Sequence, residues 1–321
     1  MRLVIVGMGV QGQKRRRIAG TDVVATVDPV AGGADFTAIE KISVENYDAA
    51  CVCTPDDVKI PIVEYLLNSG KHVLVEKPLL AVDDDVLMGL NEICRRTGAT
   101  CYTAYNHRFE PHLVRLKECV ATQHIGEIYL VRGFYGNGTA RDVRNSPWRD
   151  RGLGVVADLG SHLLDLALFC FGRPQGLPDV WSANRFENAS FDHVGFGFSG
   201  RPVIQLEATL MSWRNSFSWD VYGETGSMHV DCLCKWGPST LTVRRRVLPS
   251  GKPPEESQTL IQSDPTWKAE YEYFRGLCGT ASTNIDNDIW INSIMRHLGQ
   301  SLDETSLSSS DAYSASSVAE S

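Results

Sequence analysis

An acid, a base and a proline end a short apolar run at Glu76, Lys77 and Pro78. Residues 72–75 before them are typical of a buried strand, and the proline stops the hydrogen-bond ladder of that strand. In a doubly wound parallel sheet the carboxyl ends of the strands line a crevice, so an acid and a base placed there face a ligand. A surface ion pair that caps the strand is the simpler alternative, and the rest of the chain must decide between the two.

The second group whose residue types could do chemistry is Asp158, His162 and Asp165. If this segment is helical, spacings of four and three residues place all three side chains on one face. A histidine near its ordinary pKa accepts a proton from an alcohol that is being oxidised, and a neighbouring carboxylate can orient the ring or the substrate. The alternative is a histidine that Asp165 satisfies at the start of a helix.

A glycine pattern at the start of the chain predicts a binding site that both of these residue groups could serve. Residues 3–6 predict a buried strand, which leads at once into a turn and a helix. In this pattern the first glycine allows a tight turn, the second lets the backbone approach a pyrophosphate, and the third lets helix and strand pack closely. The cofactor-binding residues that the pattern predicts are Gly7, Gly9, Val10, Gln11 and Gly12.

An acid at the end of the second predicted strand indicates which dinucleotide binds. Asp28 follows residues 23–27 and stands about twenty residues after the first glycine. A carboxylate there accepts hydrogen bonds from both ribose hydroxyls and repels a 2'-phosphate, so the sequence favours NAD. NADP stays open because the arginines nearby could partly offset this charge. Asp28 and Pro29 could instead simply start a turn.

The elements that must position these residues follow two different patterns. Up to about residue 110, strands and helices alternate, which predicts a parallel sheet covered by helices. After a helix at 111–122, the chain becomes a series of strand candidates separated by turns, which indicates a mostly antiparallel sheet. The first candidate (128–131) is followed by a loop at 133–153, and the last candidate is at 241–243. We therefore expect an α/β plus α+β chain with a dinucleotide-binding domain (1–120), an open-sheet domain (121–300) and a weakly ordered polar tail (301–321). Two late helices are expected at 267–278 and 288–298.

The composition limits the classes of binding partner and the cellular compartment that we expect for this protein. The formal net charge of −8 argues against nucleic acid, and no run of apolar residues is long enough to span a membrane. The chain starts directly in a strand, without the features of a signal peptide, so we expect a cytoplasmic protein. Nine cysteines, with no Cys-x-x-Cys, predict neither a disulfide framework nor a metal site.

Taken together, the motifs resemble those of the glucose-fructose oxidoreductase and inositol dehydrogenase family, also called Gfo/Idh/MocA. The resemblance covers nearly the whole chain and rests on Gly7-x-Gly9-x-x-Gly12, Thr54-Pro55, Glu76-Lys77-Pro78 and Asp158-x-x-x-His162. It implies an N-terminal Rossmann domain and a C-terminal open sheet that assembles homodimers or homotetramers. It also implies that Lys77 binds the reacting hydroxyl or carbonyl, that Asp158 positions the sugar and that His162 is the acid/base.

The resemblance extends the list of expected contacts. Thr54, Pro55, Glu76, Lys77 and Asn106 are expected at the cofactor, and Lys77, Arg108, Trp148, Asp158 and His162 at the substrate. Family members often carry a histidine a few residues after the Thr-Pro pair. Residues 56–59 contain none, so a contact of that kind is in doubt here.

The activity expected from these residues is hydride transfer between nicotinamide and a ring carbon of a sugar, sugar nucleotide or cyclitol. His162 would take the hydroxyl proton, and Lys77 would stabilise the developing alkoxide in the crevice. Two alternatives stay open. The first is an NAD-retaining hydrolase or lyase that oxidises the sugar only transiently, and the second is a dinucleotide-sensing protein without turnover.

Overall fold

A computed structural model describes residues 1–30, 32–146 and 149–316, with side chains as far as Leu302. The chain forms two compact units. The first unit joins residues 1–110 to residues 264–292, and the second contains residues 111–263 and the chain from residue 293 onward. This division differs from the single boundary expected near residue 120, because the chain returns to the first unit after the second sheet.

The first unit contains a five-stranded sheet with the strand order β2-β1-β3-β4-β5. Every neighbouring pair is parallel, which confirms the predicted doubly wound sheet. Its strands and helices are β1 (Leu3–Val6), α1 (Val10–Ala19), β2 (Val23–Val27), β3 (Ala49–Val52), α2 (Asp56–Asn68), β4 (His72–Glu76), α3 (Asp84–Thr97) and β5 (Cys101–Ala104).

Helices bury both faces of this sheet, which is why its strands are apolar throughout. One face packs against α2 and α3 through residues such as Val63, Leu66 and Leu90. The other face packs against α7 (Thr266–Leu277), whose Tyr271 and Phe274 join the cluster around the first strand. Since this second cluster needs those aromatic rings, the chain must return from the second sheet to complete the core of the first unit.

The second unit is built on an eight-stranded sheet with the order β13-β12-β11-β10-β6-β9-β8-β7. The β6–β9 pair is parallel and the others are antiparallel, which confirms the predicted open, mostly antiparallel sheet. Its strands are β6 (Ile128–Gly136), β7 (Asp179–Asn184), β8 (His193–Phe198), β9 (Val203–Thr209), β10 (Ser216–Gly223), β11 (Gly226–Asp231), β12 (Ser239–Arg245) and β13 (Glu255–Leu260).

The two faces of this sheet differ in character. Along β10, Phe217, Trp219 and Val221 are buried, while the residues between them are half-buried and mostly polar. The α-helices that the structure describes in this unit are α4 (Pro111–Ala121), α5 (Ala140–Arg144), α6 (Ser161–Phe171) and the later part of α8 (Ile285–Ser316). The apolar face lies toward α4 and α6, so alternation along the strands sets which side carries the helices.

Three details differ from the sequence predictions. β13 was not predicted, since its residues are nearly all polar and exposed. The stretch from residue 133 to 153, expected as a loop, begins as the end of β6 and contains α5. The last helix continues to Ser316, beyond the predicted helix end at residue 298. No helix among the described residues is both long and apolar enough to cross a membrane.

Candidate active site

Steric contacts determine the turn between β1 and α1. Gly7 has a φ of 90°, and a Cβ there would lie 2.6 Å from the carbonyl oxygen of Cys53. A Cβ on Gly12 would overlap the carbonyl oxygen of Gly7. At Gly9, by contrast, no atom of the described residues other than its chain neighbours lies within 4 Å of the place a Cβ would take. The backbone is therefore open at Gly9, the position where a pyrophosphate must approach.

The first turn of α1 supplies donors at the same place. Gly9 is the N-cap residue of this helix and provides no side-chain hydrogen bond to its first N–H groups. Such N–H groups and the positive end of the helix dipole are suited to a phosphate. The donor set therefore fits the pyrophosphate of a dinucleotide.

Asp28 links the glycine turn to the end of β2. Its Oδ2 accepts a hydrogen bond from the backbone N–H of Met8 at 2.7 Å, and its Oδ1 accepts one from Val30 at 2.8 Å. The second bond is an Asx turn, so Asp28 also starts a turn as the alternative interpretation required. The two roles are compatible because the carboxylate has about four lone-pair sites.

A cavity of about 720 Å³ lies beside this region. It is lined by Met8, Val10, Gln13, Arg16, Arg17, Gly20, Gly32, Gly33 and Ala34. The two arginines bring positive charge next to the turn that holds Asp28. Because this positive charge could partly offset the repulsion between Asp28 and a 2'-phosphate, NADP stays open as a cofactor beside NAD.

Thr54 follows β3 and is close to the glycine turn. The hydroxyl oxygen of Thr54 is buried without a hydrogen-bond partner among the residues that the structure describes. Its backbone nitrogen would lie 3.2 Å from a Cβ on Gly7. A buried hydroxyl next to the turn fits the predicted cofactor contact, since buried polar groups normally have a partner. Pro55 is the N-cap residue of α2 and is exposed.

Glu76 forms an ion pair with Arg15, a residue that is distant from it in the sequence. Its carboxylate accepts a hydrogen bond from Nε of Arg15 at 2.6 Å, and another nitrogen of Arg15 donates to Glu270 at 2.7 Å. Burial disfavours the charge of Arg15, but the two carboxylates outweigh it and raise the pKa of Arg15. Glu76 is thus part of a buried triad rather than of a surface pair. Arg15 and Glu270 were not predicted as site residues.

Lys77 is half-buried directly after β4. Lys59, which the motifs did not indicate, forms a hydrogen bond with the segment that contains Lys77 and Pro78. Its Nζ donates to the backbone carbonyl of Pro78 at 3.0 Å and forms an ion pair with Asp56 at 2.6 Å. The segment without the expected histidine thus contributes a lysine that supports the chain beside Lys77.

The residues after β5 are partly engaged within the first unit. Asn106 is buried, and its side-chain amide donates to the hydroxyl of Thr266 at 2.8 Å. Arg108 is half-buried two residues later. Asn106 therefore connects the end of β5 to the start of α7, and its expected contact with the cofactor stays a prediction.

Within the second unit, the segment with Asp158 and His162 is helical, which meets the condition set for these residues to share a face. Residues Val156–Gly160 form a π-helical turn that continues directly into α6. Such turns are frequent at functional sites. His162 is only 6% exposed, and Asp165 is fully buried in the same helix. The neighbouring leucines of α6 are buried too, so core packing holds the backbone that carries the imidazole.

Three further residues lie around this segment and were not predicted. Arg149 donates to Asp158 Oδ2 at 3.2 Å. The ring of Tyr135, from β6, lies 5.8 Å from the ring of His162, and Lys235 donates to the Tyr135 hydroxyl at 3.2 Å. Trp148, the remaining predicted substrate contact, lies outside the described residues.

Comparison with family models covers both halves of the chain. Residues 1–105 match the oxidoreductase family model with an NAD-binding Rossmann fold, and residues 113–229 match the GFO/IDH/MocA C-terminal domain. The first match confirms NAD as the predicted cofactor.

Individual known proteins that are similar to this chain are also named as oxidoreductases or dehydrogenases. The chain is 26% identical over 227 residues to the uncharacterized oxidoreductase YdgJ of Escherichia coli, covering 65% of this chain and 64% of that protein. It is 28% identical over 153 residues to the inositol 2-dehydrogenase of Rhizobium meliloti, covering 46% and 44%. The matched regions span 39% to 64% of the first curated relatives.

A solved structure agrees in fold over almost the full length. The inositol dehydrogenase homolog of Azotobacter vinelandii, crystallised with NADH and myo-inositol, superposes with a TM-score of 0.78 at 16% identity. The match covers 95% of this chain and 96% of that one. With both family models and the predicted motifs in agreement, the chain belongs to the GFO/IDH/MocA family of oxidoreductases.

Proposed function

We propose that this protein is an NAD(P)-dependent oxidoreductase acting on a ring hydroxyl or keto carbon of a sugar, sugar nucleotide or cyclitol. The observation that carries the proposal is the buried imidazole of His162, held by the packed helix α6 beside Asp158. The NAD-binding family match of the first unit supports it. Two proteins similar to this chain are named an inositol 2-dehydrogenase and an inositol dehydrogenase homolog, which supports a polyhydroxylated ring as substrate.

His162 is proposed as the acid/base. In the oxidation direction its neutral imidazole takes the proton from the substrate hydroxyl, and in reduction it returns that proton to the same oxygen. NAD, when bound, supplies the hydride acceptor. The buried position suits a single proton transfer, since it keeps bulk water away from the ring.

Lys77 and Asp158 are proposed to hold the substrate. The ammonium of Lys77 stabilises negative charge that develops on the reacting oxygen. Asp158 accepts hydrogen bonds from substrate hydroxyls and so fixes which carbon reacts. The hydrogen bond from Arg149 limits the rotation of the Asp158 carboxylate. Arg108 and Trp148 are kept as further substrate contacts.

The residues that hold the cofactor are proposed from the first unit. The open backbone at Gly9 and the first turn of α1 receive the pyrophosphate, and Asp28 receives the adenosine ribose. The buried hydroxyl of Thr54 gains a partner when the dinucleotide binds. Val10, which is 84% exposed at the start of α1, then lies against the bound cofactor.

Assembly and compartment complete the proposal. Homodimers or homotetramers would form through the less apolar face of the second sheet, where Trp181 is exposed. All nine cysteines are free thiols, which suits the reducing cytoplasm.

Initial rates with NAD and a panel of cyclitols and sugars, including myo-inositol, test the proposal. Net oxidation should accumulate NADH, whereas an NAD-retaining hydrolase or lyase would release product without it. Lys77→Ala and His162→Ala should each lower kcat by at least about 100-fold while NAD affinity changes little. Equal loss of turnover and NAD binding in folded variants would remove these residues from their proposed roles.

A further inference from the structure

Helix α1 of the first unit carries two arginines to which the proposed function gives no role. Arg16 and Arg17 are both exposed, and both line the cavity of about 720 Å³ beside the glycine turn. Within the part of the chain that the structure describes, neither guanidinium has a hydrogen-bond or ion-pair partner. Two groups of strong N–H donors therefore line an open volume and can bind an anion that enters it.

The loop after β2 forms another wall of this cavity through Gly32, Gly33 and Ala34. Apart from chain neighbours, no atom of the described residues lies within 4 Å of the place that a Cβ on Gly32 or Gly33 would take. Gly33 has a φ of 95°, a backbone conformation that favours glycine. This wall is therefore bare backbone and leaves space for a bulky ligand group in the cavity that the arginines line.

Met8 connects the cavity to the expected position of the adenosine ribose. Met8 lines the cavity, and its backbone N–H donates to Oδ2 of Asp28 at 2.7 Å. Asp28 is the residue proposed to receive this ribose, which carries a 2'-hydroxyl in NAD and a 2'-phosphate in NADP. The cavity with its two arginines thus lies next to the residue that distinguishes these dinucleotides.

The two arginines differ in their electrostatic surroundings. Hydrogen bonds from the hydroxyl and the backbone N–H of Thr26 lower the pKa of Asp35, and the positive charge of Arg16 lowers it further. Arg16 is therefore close enough to this carboxylate for part of its charge to be offset. Arg17 has no such carboxylate neighbour among the described residues, so its charge is the more effective of the two for a ligand.

We propose that Arg17, assisted by Arg16, binds the 2'-phosphate of NADP, so that this protein accepts NADP as well as NAD. A guanidinium is a planar donor fork that binds phosphate oxygens bidentately and stays charged at physiological pH. Its attraction opposes the repulsion from Asp28, whose carboxylate already accepts hydrogen bonds from the backbone of Met8 and Val30. This inference rests on the proposed function, since it concerns the cofactor of the same site.

Titration calorimetry of the full chain tests this inference with NAD, NADP, 5'-AMP and adenosine 2',5'-bisphosphate as ligands. The last two differ only in the 2'-phosphate. Wild type should bind NADP with an affinity within about tenfold of that for NAD. Arg17→Met should weaken both 2'-phosphorylated ligands by about 10- to 100-fold and leave NAD and AMP within about twofold, as expected for a charge-assisted hydrogen bond. Arg16→Met should act in the same direction by a smaller factor. Arg95→Met, at an exposed arginine of α3 in the same unit, is the control and should match wild type.

The outcomes separate this inference from the proposed function. An affinity for NADP more than about tenfold below that for NAD, or an equal loss of both in a folded Arg17→Met variant, would overturn the phosphate site. The same selective loss in Arg95→Met would also overturn it, because net charge alone would then explain the effect. NADH formation without NADP binding would leave the oxidoreductase proposal standing and remove this inference. NADP binding that depends on Arg17, without hydride transfer to either dinucleotide, would do the opposite.

Discussion

Replacing Arg15 with methionine should destabilise the first unit by about 3–5 kcal/mol, the cost of breaking a buried ion pair. The Arg15 side chain is 2% exposed and lies 2.6 Å from Glu76 and 2.7 Å from Glu270, which is fully buried. Without the guanidinium, the two carboxylates stay in the protein interior and repel each other. Because a domain is stable by only about 5–15 kcal/mol, this loss removes a large fraction of the total.

The effect of Arg15 should not depend on pH near neutrality. Its pKa is raised above the ordinary value of 12.5, so its contribution to stability is complete below that value. The contribution is lost only as the pH rises through the folded pKa. The Arg15 contribution to wild-type stability should therefore be constant between about pH 6 and pH 9. The loss in Arg15→Met should become smaller as the pH falls, because protonation of the two buried carboxylates removes their repulsion.

Urea denaturation followed by tryptophan fluorescence measures the loss, because the Trp267 ring lies 4.3 Å from the Arg15 guanidinium. Hydrogen exchange of the β4 amides assigns the change to the first unit. Arg16→Met, an exposed neighbour on the same helix, is the matched control and should change stability by less than about 0.5 kcal/mol. Adding Glu76→Gln and Glu270→Gln to Arg15→Met should recover part of the loss. Unfolding of Arg15→Met at the same urea concentration as Arg16→Met would refute the reasoning.

Three further predictions concern the cofactor turn and a surface pair. Gly12→Ala should weaken NAD binding and lower the thermal midpoint, since its Cβ would overlap the carbonyl oxygen of Gly7; wild-type values in calorimetry would contradict this. Asp28→Ser should shift the ratio of kcat/KM toward NADP by about tenfold (about 1.4 kcal/mol), because it removes the charge that repels a 2'-phosphate; an unchanged ratio would remove Asp28 from cofactor selection. Hydrogen bonds from the side chain and backbone of Arg2 lower the pKa of Asp48 to about 2. Because this pKa is lowered on folding, the ionised Asp48 stabilises the fold above the unfolded pKa of about 3.9, and this contribution is lost as the pH falls toward 2. Asp48→Asn should therefore reduce the change in the free energy of unfolding over that pH range, by less than about 1 kcal/mol because the pair is exposed. A variant with the wild-type pH dependence would contradict this.

Local patterns were sufficient for most of the fold. Strands buried on both faces are continuous apolar runs, so β1 and β3 could be located from composition alone. β13 could not, because an exposed edge strand made of Glu255, Ser257 and their neighbours has no apolar alternation. The return of α7 to the first unit was missed for a related reason. Its apolar stripe shows that it packs on a core but does not show which one.

Parts of the candidate site could be predicted from the sequence only where all of their residues lie within one short motif. The glycine turn and the helix with His162 are local, so their spacing predicted them. Arg15 and Glu270 are 255 positions apart, and their pairing depends on the tertiary fold. The contact of Tyr135 with Lys235 is equally long-range, and the strand that carries Tyr135 was expected to end before it. Polar pairs of this kind leave no periodic signal in the sequence.

We propose that Lys77 and His162 act on one reacting oxygen, and a double-mutant cycle in single-turnover hydride transfer tests this directly. Residues that act as a unit in one transition state give non-additive losses. The combined Lys77→Ala and His162→Ala variant should therefore transfer hydride about as slowly as the slower single variant, with a much smaller loss of NAD affinity than of rate. If the two losses instead multiply, or if NAD affinity falls as much as the rate, the central proposal is contradicted.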